Sequence, residues 1–434
     1  MESNKEAWHG VRNEGIVEAF ARTTDEIVSL AEFRALLDSG RKLKIKFGAD
    51  VTAPFLHLGH AVNLWMLREM QERGHLVQFL VGDFTTLIGD PTGRDVSRPP
   101  RSAAEIQEDA GEFIRQVGTI LITDDPERFE VRFNSSWWST KPLAEFLELL
   151  GSVTASRLLS RDMFKARIES GKDVRAHELV YPLLQGWDSV ELDSDLTIVG
   201  SDQLFNESMG RFFQERSGKA PQVIITTRIT PGLDGVRKQS KSLNNFVALD
   251  DGPRQAFGKV MSLPDELITQ WFEVYTQEPL PIVRELEVGM NDGSLNPRDA
   301  KLRLARAIVG RLHGEGAALT EEAWFQMTFS GGNFPEDALV VFLLPGEWRV
   351  LDLLAELEPL RSRSKIRRLL AEGAIEVDGR KPTSADETVN VPFSGDLRIR
   401  LGRRRFARVR AGEPTCSSDI AVGCRGVGPS GYGC

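Results

Sequence analysis

What this sequence has little of narrows it first. Its three cysteines, Cys416, Cys424 and Cys434, all fall within the last nineteen of 434 residues. The chain before them has no thiol for a disulfide or a thiolate metal site. No uninterrupted apolar run approaches the ~20 residues a membrane helix needs, and the first residues carry no signal-type apolar core. A cytoplasmic protein is the expectation. Positive charge is also short overall, with a net −9, yet residues 361–410 hold fourteen Arg and Lys against six Asp and Glu. That local +8 leaves −17 for the remainder. Such a patch fits a polyanion bound by one module, or else a solvated, arginine-rich strand pair.

What is present begins with a strand–loop–helix unit. Leu43, Ile45 and Phe47 alternate with lysines, as in a half-buried strand. The loop Asp50-Val51-Thr52-Ala53-Pro54-Phe55-Leu56 follows, and then His57-Leu58-Gly59-His60 opens a helix with Val62, Trp65, Met66, Glu69 and Arg73 at helical spacing. Backbone amides and the positive dipole end of that helix suit a phosphate, Gly59 removes a side chain where a ligand approaches, and two imidazoles sit one turn apart. The apolar run Val77–Val81 reads as a buried parallel strand, so the first half is a doubly wound α/β domain.

The rest of that domain follows in order. Residues 1–40 read as polar helical turns. Thr85 and Asp90, in the loop after the second strand, offer groups for an ammonium, although Asp90-Pro91-Thr92-Gly93 is equally a plain turn. Ser102–Glu105 is a capping box, Phe129, Val131 and Phe133 alternate as a strand, and residues 135–180 form a helical insertion. Tyr181, Gln185 and Asp188 share one helical face, a pocket wall or an ordinary amphipathic helix. Strand Leu196–Val199 ends in Gly200-Ser201-Asp202-Gln203, a carboxylate placed to take a ribose diol. Strand Val223–Thr227 leads into Arg237-Lys238-Gln239-Ser240-Lys241-Ser242, a cationic loop able to close on a polyphosphate, or a solvated basic turn.

The second half looks different. Residues 250–335 are helical, with Ile268, Trp271, Phe272 and Tyr275 at core spacing. A linker near Gly331–Pro335 leads to a basic helix carrying Arg363, Lys365, Arg367 and Arg368. A hairpin over residues 374–381 turns at Asp378-Gly379. Beyond Ala411 the Gly-, Ser- and Cys-containing tail cannot bury a core, so disorder is expected.

His-x-Gly-His and Lys-x-Ser-Lys-Ser, in this order and around these strands, resemble the class I aminoacyl-tRNA synthetases. Tyr181, Gln185, Asp188 and Gly200–Gln203 between them are similar to the bacterial tyrosyl-tRNA synthetase family in particular. The resemblance spans roughly residues 30 to 410 and ends in a segment like the S4 RNA-binding module. It implies a Rossmann-like catalytic domain over 1–235 with an insertion at about 100–180. A lysine loop and helical anticodon-side domain would follow over 236–335, then an α+β S4-like domain over 346–410 and a tail over 411–434. Tyrosine activation with ATP and its Mg²⁺, transfer to tRNA-Tyr, a homodimer, and no membrane or protein-held metal are the expectations.

By this resemblance His57, His60, Lys238 and Lys241 serve the phosphates in catalysis. Asp50, Thr52, Gly59, Gly200, Asp202, Ser240 and Ser242 bind ATP. Thr85, Asp90, Tyr181, Gln185, Asp188 and Gln203 bind tyrosine, with Asp188 accepting from the phenol. Arg363, Lys365, Arg367 and Arg368 face RNA. The sequence departs from the family at Lys46, where a tyrosine is frequent, and at Val51, Trp187, Val199 and Gln239, where proline, tyrosine, glycine and methionine are usual. Val199 is expected to crowd the pocket. The alternative is a diverged paralogue that binds RNA or supplies aminoacyl-tRNA to a specialised pathway. The retained histidines and lysines argue against pure binding.

Overall fold

The structure is a computed structural model. It describes residues 13, 15–51, 56–92, 102–240, 243–329, 334, 338–357, 362–402 and 405–412. The chain divides into two compact units, Met1–Glu321 and Glu322–Cys434.

The first unit is built on a six-stranded sheet. Its strands are β1 (Thr24–Val28), β2 (Lys44–Ala49), β3 (Leu76–Val81), β4 (Phe129–Phe133), β5 (Leu196–Gly200) and β6 (Val223–Thr227). They lie in the order β1-β6-β5-β2-β3-β4. Strands β2 to β6 are mutually parallel, and β1 closes one edge antiparallel to β6. The chain winds outward from β2 through β3 to β4, then returns to the other side of β2 for β5 and β6. The order reverses between β2 and β5, and loops leaving the carboxyl ends of those two strands border a crevice. Doubly wound α/β is the class read from the sequence.

Burial explains the strand pattern. Ile45, Phe79, Ile198 and Ile224 are completely or almost completely enclosed, as the runs of β-branched and aromatic residues require in a sheet covered on both faces. The N-terminal segment differs from expectation. Helix Ile16–Ala21 and helix Leu30–Asp38 flank a strand, β1, that reads as helix in sequence. Tertiary pairing overrides local preference there, because the edge of β6 offers unpaired backbone groups and the Thr226 hydroxyl, which accepts from the Glu26 amide at 3.0 Å.

Helix Ala176–Glu191 carries the polar face noted above and lies against helix Leu204–Arg216. Glycine permits this. A Cβ on Gly186 would stand 2.7 Å from the Met209 Cβ, and one on Gly210 would stand 2.6 Å from the Ser189 hydroxyl. Helices Pro253–Val260, Ile268–Tyr275, Leu280–Asp292 and Pro297–His313 also belong to this unit, with Trp271, Phe272 and Tyr275 buried as their spacing predicts.

The second unit holds a four-stranded sheet, β7 (Leu339–Leu343), β12 (Arg405–Ala411), β11 (Leu397–Leu401) and β9 (Ile375–Val377) in that order, and a two-stranded ribbon of β8 (Gly346–Arg349) and β10 (Thr388–Val391). Leu353, Leu354, Ile366, Val391, Ile399 and Val409 form its core. Asp378 and Gly379, both at positive φ, make the tight turn expected of Asp-Gly, with reciprocal Val377–Arg380 backbone bonds. The hairpin itself goes no further, because β9 takes β11 as its antiparallel partner instead. The 331–333 and 335 positions of the linker and residues 413–434 of the tail lie outside the described residues.

Candidate active site

At the switch point between β2 and β5 the structure encloses a cavity of about 950 Å³. Its walls include His57, Gly59, His60, Asp50, Thr85, Asp90, Tyr181, Gln185, Asp188, Gly200, Asp202, Gln203, Lys238 and Ser240. Fourteen residues scattered over 190 positions of sequence thus meet in one crevice. Thr52, Lys241 and Ser242 lie outside the described residues.

One side is cationic. His57 caps helix Leu58–Glu72: its Nδ1 accepts from the Gly59 amide at 3.2 Å, and its own amide donates to His60 Nδ1 at 3.2 Å. With both Nδ1 atoms accepting, each neutral ring carries its proton on Nε2 as a donor. The rings are tilted at 50° to one another with centroids 3.9 Å apart, and a Cβ at Gly59 would press to 3.0 Å from His57. The lysine loop is clasped by buried Asn245, whose side chain accepts from the Ser240 amide and donates to the Arg237 and Lys238 carbonyls. Lys238 Nζ rests 2.7 Å from Asp202 Oδ2.

The opposite end is a carboxylate nest. Asp50 accepts from the Thr85 hydroxyl at 2.8 Å and the Tyr181 phenol at 2.9 Å. Gly82 makes that approach possible, since a Cβ there would lie 2.5 Å from both Asp50 Oδ1 and Thr85 Oγ1. Asp90 accepts from the Thr92 amide and from Gln203 Nε2, both at 2.9 Å. Asn206, fully buried, donates to Gln185 Oε1 at 2.9 Å and Gln203 Oε1 at 3.0 Å, which fixes both amide orientations.

Asp188 lies deepest. It is 2% exposed, and burial pushes its carboxyl up to about 7 against the pull of Lys46 and of donors from Trp137, Trp138 and Asn134. Oδ1 takes both indole N–H groups at 2.9 and 2.8 Å, and Oδ2 takes Asn134 Nδ2 at 3.2 Å. Oδ2 therefore keeps a lone pair for a further donor. A buried carboxyl so perturbed, in a cleft, is a candidate functional position.

Sequence reading missed these supports. Asn134, Trp137 and Trp138 follow the carboxyl end of β4, and the Asn-Ser-Ser-Trp-Trp composition after a strand was the available signal. Glu207 and Ser189, which hold Lys46, left no signal at all. The departures have local accounts. Val51 donates its amide to the Thr86 hydroxyl at 3.0 Å, a bond proline could not make. Gln239 Nε2 donates to the buried Tyr275 phenol at 2.7 Å, so the loop is tied to helix Ile268–Tyr275. Trp187 donates to Glu191 at 2.6 Å and carries Lys141 over its ring. Val199 lines the wall, and the cavity remains large beside it.

In the second unit, helix Arg363–Ala371 buries Ile366 and Leu370 and exposes Arg363, Lys365, Arg367 and Arg368 on its other faces. Arg363 pairs with Asp352 at 3.2 Å and Arg368 with Glu372 at 2.8 Å, in settings where water weakens both. Among the described residues no cluster of three or more His, Cys, Asp or Glu could hold a metal ion, and no helix is long and apolar enough to cross a membrane.

The chain is similar to known proteins. Residues 38–330 match the family model of class I tRNA synthetases for tryptophan and tyrosine. The chain is 40% identical to the tyrosine–tRNA ligase of Desulfotalea psychrophila over 402 residues, 91% of this chain and 96% of that one. It is 42% identical to that of Moorella thermoacetica over 379 residues, 87% and 91% of the two chains. The fold is shared with a truncated mitochondrial tyrosyl-tRNA synthetase of Aspergillus nidulans, at TM-score 0.58 and 23% identity over 73% of this chain and 95% of that one. It is shared also with the Archaeoglobus fulgidus tyrosyl-tRNA synthetase solved with L-tyrosine, at TM-score 0.55 and 21% identity over 71% and 99%. A switch-point cavity with paired histidines, a clasped lysine loop and a buried carboxyl accompanies these matches, and the chain belongs to the class I tRNA synthetases of the tryptophan and tyrosine family.

Proposed function

We propose that this protein is a tyrosine–tRNA ligase, which activates L-tyrosine with ATP to tyrosyl-adenylate and passes the tyrosyl group to tRNA-Tyr. The observation that carries this reading is Asp188, a buried carboxylate with a lone pair facing the cavity and three fixed donors behind it. Phenylalanine would leave the remaining Oδ2 acceptor position desolvated and unmet, which supports discrimination on the order of 10⁴ without editing.

In the first step a tyrosine carboxylate oxygen attacks the α-phosphorus. The bond from that phosphorus to the bridging oxygen breaks, and pyrophosphate leaves with Mg²⁺ that arrives on ATP. His57 and His60 donate from Nε2 to the oxygens gaining charge. Lys238 starts on Asp202; a ribose diol that binds Asp202 displaces the ammonium toward the departing pyrophosphate. Ser240 extends that cradle, with Gly59 beside the phosphates and Gly200 giving the ribose room; the family resemblance assigns Lys241, Ser242 and Thr52, which lie outside the described residues, to the same phosphates. Asp90, Thr85, Tyr181, Gln185 and Gln203 hold the amino-acid ammonium and carboxylate, with Asp50 organising Thr85 and Tyr181. In the second step the ribose hydroxyl of the tRNA terminus attacks the carbonyl and AMP leaves.

The domain reading accompanies this: a catalytic domain over 1–235, an anticodon-side domain over 236–335 and an S4-like domain over 346–410 whose Arg363, Lys365, Arg367 and Arg368 contact RNA phosphates. A cytoplasmic homodimer is the working assembly. Tyrosine-dependent exchange of labelled pyrophosphate into ATP, run beside phenylalanine and tryptophan, tests the reading. Exchange with tyrosine alone supports it; no exchange with any of the three transfers weight to the RNA-binding paralogue.

A further inference from the structure

We propose that Arg161, outside the cavity wall, is a positioning residue for the amino-acid ammonium, acting through Thr92 on Asp90; this rests on the reading above. Arg161 precedes helix Asp162–Glu169 of the insertion. Its Nη2 donates to Thr92 Oγ1 at 3.0 Å, and Thr92 in turn gives its amide to Asp90 Oδ1 at 2.9 Å. The second Asp90 oxygen is held by Gln203. Both oxygens of the carboxylate are thereby fixed in direction, one of them by a residue that Arg161 anchors.

The guanidinium is costly where it sits. Nη1 is buried without a hydrogen-bond partner among the described residues, and burial holds the pKa of Arg161 below that of an ordinary arginine, against the pull of Asp90, Asp202 and Tyr181. Its ring contacts, Phe205 at 4.8 Å and Phe164 at 5.7 Å, offset only part of that cost. A half-buried cation with one enclosed donor unsatisfied is a poor structural device. The charge has a use on the electrostatic side. Asp50, Asp90 and Asp202 all border one cavity, and Lys238, the cation on Asp202, belongs to a loop that leaves Asp202 in the proposed reaction. Arg161 then offsets the repulsion between Asp90 and Asp202 before the ammonium arrives.

A ligand lacking the ammonium separates this role from simple scaffolding. Tyrosine KM and kcat in pyrophosphate exchange would be compared with the inhibition constant of 3-(4-hydroxyphenyl)propanoate, which keeps the phenol and carboxylate. Arg161→Gln is expected to raise KM for tyrosine about tenfold, the scale of one charge-assisted hydrogen bond. Values of kcat, KM for ATP and the inhibition constant should move by less than about twofold, and Arg161→Lys should recover part of the loss. Parallel weakening of tyrosine and the analogue would mean that Arg161 only holds the insertion in place, and unchanged KM would leave it no role; either overturns the proposal. A parent protein with no tyrosine-dependent exchange sinks the underlying functional reading instead, a distinct result.

Discussion

Lys46 Nζ stands 2.7 Å from Glu207 Oε2, with the two side chains 1% and 2% exposed, directly beneath the candidate amino-acid pocket. Lys46 also donates to the Ser189 hydroxyl at 2.7 Å, and Glu207 accepts from Gln185 at 2.8 Å and Gln222 at 2.9 Å. The pair therefore connects strand β2 to Gln185, a glutamine that lines the cavity. It replaces the tyrosine frequent at this position by a charge network that no single residue could sustain.

Breaking that pair leaves an uncompensated buried charge. Lys46→Met is expected to cost roughly 3–5 kcal/mol in unfolding free energy, measured by denaturant titration, because Glu207 is stranded. Lys46→Met combined with Glu207→Gln should recover a large share. Equal losses in the single and double variants would mean that the ion pair contributes nothing beyond packing.

Asp188 links specificity to pH. Its folded carboxyl sits at about 7, above its ordinary 3.8, so the native state binds more protons than the unfolded chain between those values. The sign is a cost: absent below about pH 4, growing as pH rises, and complete above about pH 7. Asp188→Asn removes it, so the variant's stability advantage should widen from pH 4 to 7 and then stay level. The same change should lower the tyrosine-over-phenylalanine ratio in exchange by ~10² or more. An unchanged ratio would place phenol recognition elsewhere.

Lys238 follows charge rather than binding the amino acid. Lys238→Ala should lower kcat for tyrosine activation on the order of 10²-fold, the effect of one lost transition-state donor, with little change in tyrosine affinity by equilibrium titration. A loss confined to tyrosine KM would contradict the assignment.

The basic helix of the second unit is tested by salt. Replacing Arg363, Lys365, Arg367 and Arg368 by glutamine should raise KM for tRNA and flatten its dependence on ionic strength. Pyrophosphate exchange, which needs no RNA, should not change. Aminoacylation with an unaltered salt slope would remove these four side chains from the RNA-contacting surface.

The sequence by itself determined the class of the first unit and the identity of its polar wall. Alternating and continuous apolar runs specify strands because burial of one or two sheet faces leaves a period in the chain. His57-Leu58-Gly59-His60 and Gly200–Gln203 are legible because their chemistry is local, a helix start and a strand end. Only the tertiary structure decided which residues support them. Strand β1 exists because β6 had an open edge, and the Asp378-Gly379 turn leads to no long hairpin because β11 competes for β9. Glu207 reaches Lys46 across 161 positions, Arg161 reaches Thr92 across 69, and both Trp137 and Trp138 turn to the same oxygen of Asp188. Such partners leave no periodic trace, since a buried charge or amide is satisfied by whichever group the fold brings within about 3 Å of it.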